Sequence, residues 1–346
     1  MTREEIIKEF DPNGVATSDA IFGLPWEMEH AQIVVLPVPW EVTVSYSAGT
    51  AAAPEAIRTA SWQVDLFDPA VPNAWQLGIW MAEENKWIKW SSEEMRMLAA
   101  NYIAALGDAQ NVPDLNVLHK INQACVKMVT TVKEEVLTYL NKGKLVALLG
   151  GDHSTPLGYI QALAEKYESF GILQIDAHAD LRDAYEGFEF SHASIMFNAL
   201  KISQVKKLVQ VGIRDYCEAE FEIIQNSNGR IKTYFDRDLK HENFAGKSWK
   251  NQVDEIVNEL PQNVYLSFDI DGLDPKLCPN TGTPVAGGLE VEEVLFLVET
   301  VLASGRTLIG FDLNEVGPSE DEWDANVGAR LLYRLCNLLG KSNGKV

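Results

Sequence analysis

Seven short runs of apolar residues, with almost no polar alternation inside them, limit the possible folds of this chain more than any other feature. They are Ile33 to Pro37, Leu145 to Leu149, Gly171 to Ile175, Leu208 to Ile213, Lys232 to Phe235, Val264 to Phe268 and Thr307 to Leu313. A strand with one wet face alternates polar and apolar residues, whereas a strand covered on both faces does not. Longer amphipathic stretches lie between the runs. Val129, Val132, Val136 and Leu140 share one helical face before Gly143, and Val291, Val294, Leu295 and Val298 share another before Gly305. Strands alternating with crossover helices predict an α/β protein, a three-layer α/β/α sandwich with a mainly parallel central sheet. The chain has no internal repeat, low-complexity tract or Pro/Ser-rich linker, so residues 30–340 read as a single domain preceded by an N-terminal extension at 1–29.

One stretch departs from this regularity. Residues 62–120 hold Trp62, Trp75, Trp80, Trp87 and Trp90, five of the nine tryptophans. They read as a loop-rich, aromatic insert packed on the domain or on a neighbouring subunit. Four separated cysteines, Cys125, Cys217, Cys278 and Cys336, fit reduced core thiols better than a zinc knuckle or a disulfide framework. The charged start MTREEIIKEF lacks the apolar core of a signal peptide, which makes a cytoplasmic protein the expectation. The 346 residues carry 29 Lys and Arg against 50 Asp and Glu, a formal charge of −21. Such a surface repels nucleic acids and anionic membranes, so neither is an expected partner.

Chemistry collects just after three of the apolar runs. Gly150-Gly151-Asp152-His153-Ser154 follows the first of these, Asp176-Ala177-His178-Ala179-Asp180 the second, and Asp269-Ile270-Asp271 with Gly272-Leu273-Asp274-Pro275 the third. Ligands of open parallel sheets sit at the carboxyl ends of the strands, so the three motifs are expected to converge in one crevice. Alone, each has a bland reading as a helix cap, an Asx turn or a core histidine. Together, His153, Asp176, His178, Asp180, Asp269 and Asp271 would place four carboxylates in one buried site, where they cannot all stay ionised without compensating charge. Two divalent cations supply that charge, and six side chains suffice for two ions if some carboxylates bridge and water completes the shells. An oxygen-rich shell with two imidazoles suits Mn²⁺ better than a structural zinc site, with Ni²⁺ or another divalent ion as the alternative. A metal pair of this kind activates water for hydrolysis at an electrophilic carbon or phosphorus.

In this order, GGDHS at 150–154, DAHAD at 176–180, SFDIDGLDP at 267–275 and TGTPVAGGL at 281–289 resemble the ureohydrolase family of arginases and agmatinases. The resemblance spans roughly residues 30–340. It implies an arginase-like fold, a small cationic guanidino substrate and a homo-oligomer, trimeric or hexameric. It also implies one metal held by His153, Asp176, Asp180 and Asp269, and a second by Asp176, His178, Asp269 and Asp271. Glu315, in Asn314-Glu315-Val316-Gly317-Pro318, matches the family carboxylate that pairs with the guanidinium, and His192, in Ser191-His192-Ala193, matches a position associated with proton shuttling. Asp180 would accept a hydrogen bond from the attacking nucleophile and help pass its proton to the leaving amine.

Arginases place an Asn two residues after the DAHxD motif, and this chain has Arg182 there. The following LRDAYEGFEFSHASIM looks like the agmatinase branch, which makes agmatine the leading substrate, hydrolysed to putrescine and urea. On this reading Asp183 or Glu186 attracts the cationic chain, while Arg182 would suit a substrate with a carboxylate. Arginase, guanidinobutyrase, formimidoylglutamase and guanidine hydrolase remain alternatives. A zinc deacetylase of related fold needs a His-His pair, which is absent, and a two-metal phosphoesterase reverses the motif order. A non-enzymatic metal-binding scaffold has no chemical need for all six ligand positions.

Overall fold

The computed structural model describes residues 1–16, 18–108 and 112–345. Eight strands form one sheet: β1 (Ile33–Val38), β2 (Ile79–Met81), β3 (Leu145–Gly150), β4 (Phe170–Ile175), β5 (Val205–Ile213), β6 (Ile231–Phe235), β7 (Asn263–Asp269) and β8 (Thr307–Asn314). Their spatial order is β2-β1-β3-β8-β7-β4-β5-β6, and every pairing is parallel. All seven apolar runs of the sequence are strands of this sheet. β1 shows why they lack alternation. Ile33 and Val35 enter one core while Val34, Leu36 and Val38 enter the other, so both faces are dry.

The helices are α1 (Arg3–Glu9), α2 (Ala53–Ala60), α3 (Lys86–Leu106), α4 (Leu115–Asn141), α5 (Leu157–Lys166) and α6 (Ile195–Leu200). They continue as α7 (Glu218–Gln225), α8 (Asp236–Phe244), α9 (Trp249–Asn258), α10 (Val291–Ala303) and α11 (Trp323–Ser342). One core takes Ile57 of α2, Val253 and Ile256 of α9, Val294 and Leu297 of α10, and Leu331 and Leu335 of α11. The opposite core takes Ile88 and Met95 of α3, Ile121 and Val132 of α4, Ile160 of α5 and Ile195 of α6. The result is the three-layer sandwich expected from the sequence. Among the described residues, no helix is long and apolar enough to cross a membrane.

The Trp-rich stretch is not loop-rich. It contains edge strand β2, all of α3 and the start of α4, with residues 109–111 outside the described set. Its tryptophans mostly pack within the chain: Trp75 meets Phe10 and Trp26 in tilted ring contacts, and Trp87 lies against the fully buried Trp40. Trp90 stays exposed. Residues 3–26 add Ile6, Ile21, Phe22, Leu24 and Trp26 to the first core. Cys125, Cys278 and Cys336 are buried free thiols, and Cys217 is half-buried.

Candidate metal centre and active site

The site rises from the four adjacent central strands. β3 delivers Asp152 and His153, β8 delivers Glu315, β7 ends at Asp269 with Asp271 just beyond, and β4 leads into Asp176, His178 and Asp180. β4, β5 and β6 run outward on one side, β3 lies inside β1 and β2 on the other, and the strand order switches between them, where the crevice forms. The turn after β3 is tight. Gly151 N–H donates to Val38 O at 3.0 Å, and a Cβ at Gly151 would lie 2.2 Å from the Trp40 carbonyl oxygen. Gly151→Ala is therefore expected to cost about 3 kcal/mol and lower the melting temperature by roughly 4 °C. An unchanged thermal transition would show that the turn has room to move.

Asp180 and Glu315 have left-handed backbones, with φ of 54° and 62°. For residues with a Cβ this costs roughly 1–2 kcal/mol each, and such strain collects at functional sites. Glu315 is locked in place by its own N–H, which donates to Gly151 O at 2.8 Å, and by His153 N–H, which donates to its Oε1 at 2.8 Å. Its Oε2 is buried with no partner among the described residues and faces Gly282, where a Cβ would come within 2.9 Å of it.

His153 Nδ1 lies 3.0 Å from Asp176 Oδ2, 3.0 Å from Asp180 Oδ2 and 3.3 Å from Asp269 Oδ2, yet makes no hydrogen bond among the described residues. His178 Nδ1 lies 3.0 Å from Asp271 Oδ2 and 3.6 Å from Asp176 Oδ1. All six residues of the sequence-derived metal set thus converge. Two groups have ligand atoms close enough for one ion each: His153, Asp176 and Asp269, and Asp176, His178 and Asp271. Asp176 belongs to both.

Hydrogen bonds behind the cluster orient its donors. Ser267 Oγ donates to Asp312 Oδ1 at 3.1 Å, so the 2.9 Å contact with His153 Nε2 is completed by Nε2–H. The His153 proton is then on Nε2, and the Nδ1 lone pair points at the carboxylates, as a metal ligand requires. A second relay crosses three strands. Thr233 Oγ1 donates to Gln210 Oε1, Gln210 Nε2 to Gln174 Oε1, and Gln174 Nε2 to Asp176 Oδ2, at 2.7, 2.7 and 2.8 Å.

The protein alone leaves the charges poorly matched. Burial, joined by the Asp176 charge, pushes Asp180 up to about 7. Burial, with Asp271 and Asp176, raises Asp269 well above the carboxylate range. Asp176 is held low by the two imidazoles against the opposing effect of its burial. These residues fit a pair of divalent cations, because four crowded carboxylates and an unpartnered imidazole lone pair each gain a partner. Dialysis against a chelator is expected to lower the melting temperature by roughly 10 °C, restored by adding a divalent ion. A melting temperature indifferent to both treatments would contradict a metal-filled centre.

A cavity of about 150 Å³ opens onto the cluster. Its walls include His178, Asp180, His192, Asp215, Glu220 and Thr283, with Ser45, Arg182, Tyr185 and Tyr216 also in the wall. His192 sits here, with Nδ1 3.2 Å from Thr43 Oγ1. Arg182 also lines the cavity, but its guanidinium lies over Tyr185 and 3.8 Å from the buried Glu220 carboxylate. Asp183 does not line it: its side chain is 83% exposed, 3.8 Å from Lys201. Glu186 is likewise outside the wall. The acidic groups at the mouth are instead Asp215 and Glu220, which the sequence reading did not single out. Asp215 had a signal, since it follows strand β5 just as the metal motifs follow theirs.

A parallel sheet that gathers two imidazoles and four carboxylates at its strand ends, beside a Glu with one buried oxygen that has no partner among the described residues, has the donors for a pair of metal ions. A sequence model described as the arginase family matches residues 31–337, and the chain belongs to that family. It is accordingly a hydrolase of the ureohydrolase type, acting on guanidino compounds. It is 31% identical to an N(1)-aminopropylagmatine ureohydrolase of Thermus thermophilus over 91% of this chain and 93% of the relative. It is 27% identical to an agmatinase of Bacillus anthracis over 86% of this chain and 87% of the relative. The fold matches an agmatine ureohydrolase of Thermoplasma volcanium with a TM-score of 0.72 and 23% identity, over 99% of both chains.

Proposed function

We propose that the chain hydrolyses a linear guanidino-amine to urea and the corresponding amine, with agmatine, which yields putrescine, as the leading substrate. The observation that carries this reading is the charge at the mouth. Among the described residues lining the cavity, Arg182 is the one Lys or Arg, and it is matched by Glu220. Among the described residues Asp215 pairs with no Lys or Arg, only with His178 Nε2 at 4.0 Å, and its side chain is 69% exposed. A tail bearing an ammonium group is favoured there over a tail bearing a carboxylate. The relatives named above, an agmatinase and an aminopropylagmatine ureohydrolase, support the same class. The latter also makes the aminopropyl derivative of agmatine a natural second substrate.

His153, Asp176, Asp180 and Asp269 would hold one ion, and Asp176, His178, Asp269 and Asp271 the other. Two divalent ions, manganese by the oxygen-rich donor set, would neutralise the carboxylates and activate water for attack on the guanidinium carbon. Glu315 Oε2 receives the guanidinium, whose planar N–H groups supply the missing partner of that oxygen. Asp180, with Oδ2 turned to His153, accepts the nucleophile's proton on its other oxygen and returns it to the departing amine. His192, in the cavity wall, is kept neutral by burial and by the nearby His178 and His153, which lower its pKa to about 3. It would serve proton exchange with solvent as a neutral hydrogen-bonding relay and not as a standing imidazolium.

Urea release from agmatine, N1-aminopropylagmatine, arginine, 4-guanidinobutyrate and guanidine, each with Mn²⁺ or Ni²⁺, tests the assignment. The two amine-tailed substrates are expected to exceed the carboxylate-tailed ones in kcat/KM by about 100-fold. Preference for arginine or 4-guanidinobutyrate, or release of formamide from formiminoglutamate instead, would overturn it.

A further inference from the structure

The chain between β1 and α2 crosses the mouth of the site as residues 41–51, and a buried carboxylate closes it into a staple. Glu41 Oε2 accepts from Gly49 N–H at 2.7 Å, Ala51 N–H at 3.0 Å and Thr50 Oγ1 at 3.2 Å. Two residues of α3, one helical turn apart, hold the near end of that staple. Ser92 Oγ accepts Glu41 N–H at 2.9 Å. Arg96 donates to Val42 O at 3.4 Å and also to Val44 O, with its Nε 3.9 Å from Glu41 Oε1. Thr43 therefore stands between two carbonyls gripped by one guanidinium, and it is fully buried.

Thr43 faces His192. Its Oγ1 accepts His192 N–H at 3.3 Å and lies 3.2 Å from His192 Nδ1. A hydroxyl has one proton to give, and among the described residues His192 Nδ1 is the only hydrogen-bond partner of this buried hydroxyl able to take it. If Nδ1 carried the ring proton, the Thr43 hydroxyl proton would be buried without an acceptor. Ser191 has the same polarity: its Oγ accepts Ala193 N–H at 3.3 Å and sits 3.4 Å from the same Nδ1. The two hydroxyls thus assign the neutral ring's proton to Nε2, the nitrogen with no protein partner among the described residues, in a side chain that lines the cavity.

We propose that Arg96 and Thr43 are positioning residues for His192, Arg96 fixing the strap through the carbonyls on either side of Thr43, and Thr43 fixing the orientation and tautomer of the imidazole so that it offers Nε2–H to the cavity. The Trp-rich α3 is then a buttress of the active site, although neither residue touches substrate. This inference rests on the reading of His192 as a participant in proton exchange.

The test is a double-mutant cycle on the manganese-loaded enzyme with agmatine. Thr43→Val, nearly isosteric, is expected to lower kcat about ten-fold with KM and bound metal unchanged, and Thr43→Ser to recover most of the loss. Arg96→Met, at a partly exposed position, should give the same kcat effect and provides a second route if Thr43→Val fails to fold. In a His192→Ala background, itself slowed, Thr43→Val should cost nothing further. A wild-type kcat in both Thr43→Val and Arg96→Met, or an undiminished loss in the His192→Ala background, would overturn the proposal. Full activity of His192→Ala alone would instead remove the role of His192 on which it rests, a different failure read from a different variant.

Discussion

Asp176→Asn is expected to leave the chain unable to retain its metal pair and to lower kcat/KM by about 10⁴-fold or more. Among the described residues Asp176 belongs to both of the close donor groups, and with Asp269 it would be shared by the two ions. Its two oxygens are already aimed by donors on opposite sides, His178 N–H at 2.6 Å on Oδ1 and Gln174 Nε2 at 2.8 Å on Oδ2. An amide in that position must turn its NH₂ toward one of those donors, so the substitution removes an anion and also breaks one orienting bond. Metal analysis of the purified variant alongside steady-state kinetics decides the matter. Two ions per chain together with activity within ten-fold of wild type would refute the bridging role.

Glu315→Gln should behave differently, which makes the pair informative. Glutamine keeps the oxygen that accepts His153 N–H, so the turn after β8 and the metal content should survive. What disappears is the negative charge behind the unpartnered Oε2. A buried carboxylate facing a cation in a site of low dielectric is worth several kcal/mol, and kcat/KM is expected to fall about 10³-fold with metal stoichiometry unchanged. A variant that loses its metals would instead show Glu315 to be part of the metal support. One that works normally would show that the guanidinium docks elsewhere.

The two residues differ in how plainly they stand out in the sequence. Asp176 and the other proposed ligands are legible because each follows an apolar run, and the physics of parallel sheets sends such positions to one crevice. Glu315 depended on resemblance, since a single carboxylate after a strand has many ordinary explanations. The orienting relay through Gln174, Gln210 and Thr233 was not legible at all, because three polar residues on three strands become a chain only when the strands pair. Arg182 misled for a related reason. A lone Arg beside the motif suggests a free cation, but its partner Glu220 lies at the start of α7, on another element.

The fold was similarly readable except at 62–120. Strand β2 has three residues, too few to register against the surrounding turns, and it exists because β1 offers it an edge. The buried face of α3 includes Ser91, Ser92 and Ala99 beside Ile88 and Met95, so the periodicity that reveals α4 and α10 is diluted there. Tryptophans then dominate the reading of the stretch, although much of their surface is spent on contacts within the chain.

The strand order also dictates when this sheet can be finished during folding. β3 and β4 are neighbours of the site but not of each other, because β8 and β7 lie between them and come last in the chain. Without residues 263–314 this order would leave two three-stranded halves, each with an open inner edge. Both edges are apolar and unpaired, the condition under which strands of different molecules join. The final two strands therefore act as a keystone. Their pairing closes both edges and sets Asp269, Asp271 and Glu315 beside His153, Asp176, His178 and Asp180. Competence to bind metal and protection from aggregation should arrive together, late and cooperatively, in a sheet whose long-range parallel pairings make it a slow folder.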